Sequence, residues 1–193
     1  MRRVGIALAL LVGTIGVVTA GEHKGEDKHK GEDKHNGEDK GEHKQIAILD
    51  DCDPRDPNWN SVGGCTLEEG DVTLAEFNAF LASPLSSAVI GHSAWRFDPA
   101  YLKIERDETV RVRNEGGRLH TFTEVANFGG GRVPALSFGL THAPECVLPP
   151  AVDPNNVPPG AGVEVSGLTV GNHRFQCCIH SWMRMLIKVK ADD

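Results

Sequence analysis

The sequence has few aromatic residues, no long apolar stretch after its first 20 residues, and no excess of positive charge. Phe, Trp and Tyr make up 6% of the chain, which contains 22 glycines and 11 prolines. This balance favours short strands and loops over a helical bundle. The formal net charge is −7, and no basic patch lies outside the N-terminal tail, so no nucleic-acid partner is expected.

Residues 1–20 have the pattern of a signal peptide. Arg2 and Arg3 precede an apolar run, Val4–Val18, and Val18–Ala20 supplies the small residues that precede a cleavage site. A retained membrane anchor is the alternative, but the run is short for a span and contains three glycines. We therefore expect an exported chain, secreted or periplasmic, with no membrane span after removal of the signal, in a compartment where disulfides persist.

Residues 21–45 form a low-complexity tail of recurring GEDK and GEHK units. The tail has almost no apolar surface to offset its ordering entropy, so disorder is predicted. It contains four histidines: His23, His29, His35 and His43. Imidazoles beside carboxylates bind copper, nickel or zinc weakly, so the tail is either a charged spacer or a weak metal-collecting segment.

Residues 46–91 are predicted to form a small ordered extension before the main domain. Cys52 and Cys65 enclose a short loop with two glycines and are expected to form a disulfide. The acidic run Asp50–Pro57 is rich in turn residues, but its spacing does not match an EF-hand calcium loop.

One helix is predicted within this extension. Thr73 and Glu76 have the spacing of a capping box. Apolar residues then recur on one face to about Ala82, and Ser83-Pro84 ends the pattern. We expect this apolar face to pack on the main domain.

Residues 92–193 alternate short strand patterns with turns rich in Gly and Pro. The strand patterns begin at Ala94–Pro99 and continue at Tyr101–Ile104, Thr109–Asn114, His120–Val125, Val163–Val165, Asn172–Cys177 and Met185–Lys190. Residues 126–162 form a long insertion that is read mostly as ordered surface loops. About seven short strands and one accessory helix favour an all-β fold, an antiparallel β-sandwich.

Residues 175–189 place a thiolate, an imidazole and two thioethers in one short stretch. Cys177 and His180 are three residues apart, and Met183 follows three residues later. A tight turn between two strands can direct all three side chains at one centre. This combination suits copper better than zinc, calcium or magnesium, and it needs one more imidazole from elsewhere in the chain.

The pattern resembles that of the cupredoxins, the blue copper proteins. The matching segments are Thr109–Asn114, His120-Thr121, Pro158–Gly160 and Gly171–Cys177, followed by His180 and Met183. The Cys-x2-His-x2-Met spacing, with Arg after the Met, is most similar to the amicyanin and plastocyanin-like branch. The resemblance covers residues 92–193 and implies a Greek-key β-sandwich that holds one type 1 copper.

The resemblance also implies a ligand set. The strong copper ligands would be His120, Cys177 and His180, with Met183 as a long axial ligand. Met185, five residues after His180, is the alternative axial ligand, because it matches the longer plastocyanin loop. In this family, the backbone N–H at the position of Thr121 points at the thiolate sulfur.

The five cysteines divide between a metal site and disulfides. Spacing selects Cys177 as the ligand, because Cys178 would leave only one residue before His180. Neighbours on a strand also point to opposite faces. Cys178 is then either bonded to Cys146 in the 126–162 insertion or free.

These features predict an exported type 1 copper protein that transfers electrons to or from a redox partner protein. The histidine-bearing tail motivates an alternative role in copper storage, delivery or resistance. A mononuclear copper enzyme is a third reading, which requires an open coordination position and a substrate site under the insertion. The sequence lacks the His-x-His pairs that multicopper oxidases use.

Overall fold

The computed structural model describes residues 44–82, 91–137 and 139–191. The predicted signal peptide and nearly all of the predicted tail lie outside the described residues. The strands are β1 Lys44–Leu49, β2 Arg96–Asp98, β3 Tyr101–Ile104, β4 Val110–Asn114, β5 His120–Thr121, β6 Thr123–Val125, β7 Asn156–Val157, β8 Gly162–Val165, β9 Gly171–Gln176 and β10 Arg184–Val189. The helices are α1 Leu74–Ala82 and the 3-10 turns Pro57–Val62, Pro134–Leu136, Pro144–Cys146 and Pro150–Val152. None of the described helices has the length and apolar character to cross a membrane.

The strands form a two-sheet arrangement, which confirms the all-β prediction. One sheet has the order β2-β1-β4-β8, the other has the order β3-β10-β9-β6, and β5 pairs separately with β7. The expectation of a wholly antiparallel fold is wrong, because β1 pairs with β4 and β3 pairs with β10 in parallel. Parallel neighbours need long crossover connections, and the alternation of apolar residues carries no signal for strand direction.

The core lies between the two sheets, where each strand turns its apolar face inward. In β4, Val110, Val112 and Asn114 are buried while the intervening arginines are exposed. Phe122 lies between Phe97 of the first sheet and Phe175 of the second, with ring centroids 5.2 Å and 4.4 Å away. These three rings link the sheets in the middle of the core.

The predicted strand His120–Val125 is divided at Phe122. The first part, β5, pairs with β7, whereas the second part, β6, pairs with β9. The backbone N–H of Phe122 donates to the carbonyl of Asn155 at 3.0 Å. The one strand predicted from the sequence is therefore two short strands, and each pairs with a different partner.

Residues 44–49 belong to the sandwich rather than to an extension of it. Most of them fall within the predicted 46–91 extension, but β1 lies between β2 and β4 in the first sheet. Ile46 and Ile48 are buried in the main core, so the strand is held by side-chain burial as well as by backbone pairing.

The helix has the predicted start, and it is described as far as Ala82; the predicted stop at Ser83-Pro84 lies outside the described residues. The backbone N–H of Thr73 donates to Glu76 at 2.9 Å, and the backbone N–H of Glu76 donates to the Thr73 hydroxyl at 3.2 Å. This reciprocal pair is the predicted capping box. Phe77 and Leu81 are the buried side chains of α1 and belong to the main core, which confirms that the helix packs on the domain.

The expected disulfide Cys52–Cys65 is present. Of the two alternatives for Cys178 the structure has the disulfide with Cys146, and Cys177 is a free, buried cysteine. The second disulfide ties the 126–162 insertion to the chain beside Cys177. Two hydrogen bonds reinforce this attachment, from the Arg132 N–H to the Cys178 carbonyl at 2.7 Å and from the Ser181 hydroxyl to the Leu136 carbonyl at 3.0 Å.

Candidate metal centre

His120 begins β5 and is positioned by the turn that precedes it. The buried side chain of Asn114 donates to the carbonyls of Arg118 and Val157, at 2.7 Å and 2.8 Å, and accepts from the N–H of Gly116 at 2.9 Å. One amide therefore holds both the turn and the neighbouring strand β7. A buried amide with all of these partners fixes the backbone from which His120 projects.

Cys177, His180 and Met183 lie on the loop between β9 and β10, residues 177–183, which we call the ligand loop. The N–H of Cys177 donates to the carbonyl of Met183 at 3.0 Å, and the N–H of Met183 donates to the carbonyl of His180 at 2.9 Å. These two bonds close the loop on itself. The closure is the local reason why residues three apart direct their side chains toward one point.

Three predicted ligands meet at this point. Nδ1 of His120 lies 3.7 Å from the Cys177 sulfur, and Nδ1 of His180 lies 3.8 Å from it. The ligand atoms of these three residues all lie within 4.8 Å of one another, and all three side chains are buried. The cluster can hold a metal ion.

The Cys177 sulfur also receives two backbone N–H groups. The N–H of Thr121 lies 3.4 Å from the sulfur, and the N–H of His180 lies 3.5 Å from it. The Thr121 contact confirms the expectation drawn from the family resemblance. Hydrogen bonds to a sulfur ligand tune the properties of a metal that it binds.

The charges in the cluster favour a thiolate. Burial alone would raise the pKa of Cys177, but the hydrogen bonds and charges of the two histidines hold that pKa well below its usual range. For His120, burial acts to lower the pKa, but hydrogen bonds with Asp50 and Cys177 outweigh it and raise the pKa to about 9. For His180, burial prevails and lowers the pKa. The two histidines therefore favour the thiolate, which is the form of cysteine that binds a metal.

Both candidate thioethers are buried, but they lie in different places. Met183 belongs to the ligand loop and bonds through its backbone to Cys177 and His180. Met185 lies on β10 opposite Phe175, on the same buried face as Ile187. Both side chains belong to the main core, and Met183 is the one that lies within the ligand loop.

Aromatic side chains cover the ring of His180. The ring centroid of Trp182 lies 5.5 Å from that of His180, and Phe77 of α1 lies 6.5 Å away. The indole N–H of Trp182 donates to the carbonyl of Trp95 at 3.2 Å. As a result, His180 is only 5% exposed, and a helix from the 46–91 segment forms part of the wall of the site.

Asp50 is the polar residue at this site that sequence reasoning missed. Its carboxylate lies 2.7 Å from Nε2 of His120, and both side chains are fully buried. The acidic run looks like a solvated turn in the sequence. One signal was available in the sequence. Asp50 follows Ile46 and Ile48 at every second position, and every second residue of a strand faces the same side of the sheet.

The fold and the site together define a β-sandwich with a buried nitrogen–thiolate metal centre. Two imidazoles and one thiolate, with a thioether in the same loop, form a donor set that suits copper. The residues present therefore fit copper, the metal predicted from the sequence.

The chain is similar to several solved structures at low sequence identity. A purple cupredoxin from Nitrosopumilus maritimus matches at 16% identity with a TM-score of 0.41, over 76% of this chain and 99% of that chain. A reduced amicyanin mutant matches at 16% identity with a TM-score of 0.33, over 49% of this chain and 73% of that chain. An oxidised amicyanin mutant matches with the same figures. No protein-family model and no curated protein sequence matches the chain.

Proposed function

We propose that this protein is a cupredoxin, an exported type 1 copper protein that transfers single electrons to or from a partner protein. The observation that carries the proposal is the buried cluster of His120, Cys177 and His180. In the proposal these three residues are the strong ligands and Met183 is the axial ligand, with Met185 as the alternative. Copper bound by such a set supplies a one-electron redox change with little rearrangement of its ligands.

The surroundings of the cluster support an electron carrier. The ligand loop is closed by its own backbone hydrogen bonds, and the disulfide at Cys178 fixes the residue next to Cys177. His120 is held by a buried carboxylate. Ligands restrained in this way keep their positions when the charge of the metal changes, which electron transfer requires.

The two disulfides support export. Disulfides persist in the periplasm and outside the cell and are rare in reducing compartments. A secreted or periplasmic location agrees with the signal peptide predicted at residues 1–20. The proposal therefore places both the protein and its redox partner outside the cytoplasm.

Voltammetry of the copper-loaded protein tests the electron-transfer function. We expect one reversible one-electron wave that is retained over repeated cycles, and rapid oxidation of the reduced protein by an external one-electron acceptor. A copper complex that releases its metal on reduction, or that cannot be reoxidised, would contradict this function.

A role in copper storage or delivery is the second candidate, and the histidines of the tail at residues 21–45 are the observation that favours it. A chain that lacks residues 21–43 would then bind fewer copper ions, or bind them more weakly, than the full chain. Equal copper stoichiometry and affinity in the two chains would leave electron transfer as the function that the site supports.

A further inference from the structure

Asp50 occupies a position that is uncommon for a carboxylate, because its side chain points into the core at the end of β1. The residue is buried on the face shared by Ile46 and Ile48, and its side chain has no exposed surface. Burial of an ionised carboxylate is costly unless hydrogen bonds and opposite charges surround it. The partners of Asp50 therefore indicate what holds it there.

Three N–H groups converge on this carboxylate. The backbone N–H of Gly117 donates to Oδ1 at 2.9 Å, and the backbone N–H of Arg118 donates to Oδ2 at 3.0 Å. Nε2 of His120 lies 2.7 Å from Oδ2. Because an ionised carboxylate only accepts hydrogen bonds, Nε2 of His120 carries the proton in this contact. Nδ1, the other ring nitrogen, faces the sulfur of Cys177.

The backbone around Asp50 is built to admit the carboxylate. A Cβ atom at Gly116 would lie 2.1 Å from Oδ2 of Asp50, so only glycine leaves room for this oxygen at that position. The turn at Gly116-Gly117 thus brings the N–H groups of Gly117 and Arg118 to the carboxylate and leads directly into β5. Asp50 and His120 are 70 residues apart in sequence, yet they form one unit.

We propose that Asp50 is a positioning residue of the metal centre, which holds His120 with Nδ1 toward the metal and adds a second buried negative charge that favours the oxidised metal ion. This inference rests on the proposed function. A carboxylate that accepts from the distal nitrogen of a histidine ligand fixes the orientation of the ring and raises its basicity. Its charge, together with that of the Cys177 thiolate, attracts Cu(II) more strongly than Cu(I).

The test compares Asp50→Asn with the matched control Asp51→Asn in the full chain. Asp51 is the next residue and carries the same charge, but its side chain is directed toward Asp71 rather than His120. Cu(II) and Cu(I) affinities are measured for each variant by competition with chelators, together with the reduction potential. We expect Asp50→Asn to shift the affinity ratio at least about tenfold toward Cu(I), which equals a rise of about 59 mV for one electron. Asp51→Asn should shift the ratio less than about threefold, since a more exposed charge is screened by solvent.

A second measurement does not depend on how well the variant folds. In the wild-type protein loaded with Cu(I), nitrogen-edited NMR of His120 should show a protonated Nε2 whose hydrogen exchanges slowly with solvent and resonates far downfield. Equal affinity ratios in folded Asp50→Asn and Asp51→Asn, or an unprotonated Nε2 in the wild-type protein, would overturn the proposal. A wild-type protein that forms no type 1 copper site would instead overturn the proposed function, so the two failures are distinguishable.

Discussion

Phe77 of α1 meets the ring of His180 edge-on, with 6.5 Å between the ring centroids and 89° between the ring planes. The same phenylalanine contacts Trp95 and Trp182, at 4.8 Å and 6.1 Å between centroids. It thus joins the helix to the ligand loop. Because Phe77 is buried beside a candidate ligand, a change at this position should affect both stability and access to the site.

Truncation of Phe77 tests this cover. Phe77→Ala should destabilise the protein by about 3–5 kcal/mol and should let ascorbate reduce the copper-loaded protein faster, because the edge of His180 becomes accessible. Phe80→Ala is the matched control on the same helix, where the side chain is 40% exposed. Stopped-flow reduction and chemical denaturation measure the two effects. Equal reduction rates in the two variants would contradict the role of Phe77 as a cover.

The two methionines should behave differently on substitution. Met183→Leu preserves volume, so it should cost less than about 1.5 kcal/mol while it changes the reduction potential and the visible spectrum of the copper protein. Met185→Leu should leave both properties close to those of the wild type, because Met185 packs opposite Phe175 on β10. Voltammetry of the two variants decides between them, and a larger shift for Met185→Leu would make Met185 the axial ligand.

The Cys146–Cys178 disulfide should hold the 126–162 insertion against the ligand loop. Replacement of both cysteines by Ala should cost about 2–5 kcal/mol and should accelerate amide hydrogen exchange in residues 126–137. The Cys52→Ala, Cys65→Ala double variant is the control, with a comparable loss of stability. Exchange in residues 126–137 that rises equally in both double variants would show that the 146–178 disulfide does not anchor the insertion specifically.

The His173–Glu124 pair predicts a pH dependence away from the metal centre. Nδ1 of His173 lies 2.6 Å from Glu124, and Nε2 lies 2.7 Å from the Thr169 carbonyl. Burial acts to lower the pKa of His173, but these hydrogen bonds raise it above the usual 6.5. A raised pKa means that the stabilising contribution is complete below pH 6.5 and is lost as the pH rises through the pKa of the folded state.

This dependence is measured as the difference in unfolding free energy between the wild type and Glu124→Gln. The difference should be largest below pH 6.5 and should shrink at higher pH, and NMR titration should give a lower pKa for His173 in the variant. The effect is small, because the Glu124 side chain is 50% exposed and solvent screens the ion pair. A difference that stays constant with pH would show that the ion pair contributes nothing.

Local patterns in the sequence predicted much of this structure. The spacing of Cys177 and His180 defines a turn that the backbone closes, and Thr73 with Glu76 defines a helix start that needs no distant partner. His120 was reached only through resemblance to a family, since it lies 57 residues before Cys177. Features that depend on one local turn can therefore be predicted from the sequence.

Features that depend on distant strands were not predicted. The burial of Asp50 follows from the position of β1 between β2 and β4. The short alternation of Ile46 and Ile48 does not show which strands become the neighbours of β1. Two further features depend on which strands become neighbours in the sheets. They are the division of the predicted strand 120–125 at Phe122 and the parallel pairing of β1 with β4. The apolar helix face that contains Phe77 was predicted. The contact of Phe77 with His180 could not be predicted, because it depends on where the helix packs on the domain.

The most direct test of the account is the visible absorption and EPR spectrum of the purified chain with one equivalent of Cu(II), compared with that of Cys177→Ser. We expect the wild-type protein to turn intensely blue with the EPR signal of type 1 copper, and the variant to lose the colour, because only a thiolate supplies the charge-transfer band. The Cys146→Ala, Cys178→Ala protein should keep the colour, since its thiolate remains. A colourless Cu(II) complex of the wild-type protein, or a blue Cys177→Ser protein, would contradict the assignment of Cys177 as a copper ligand.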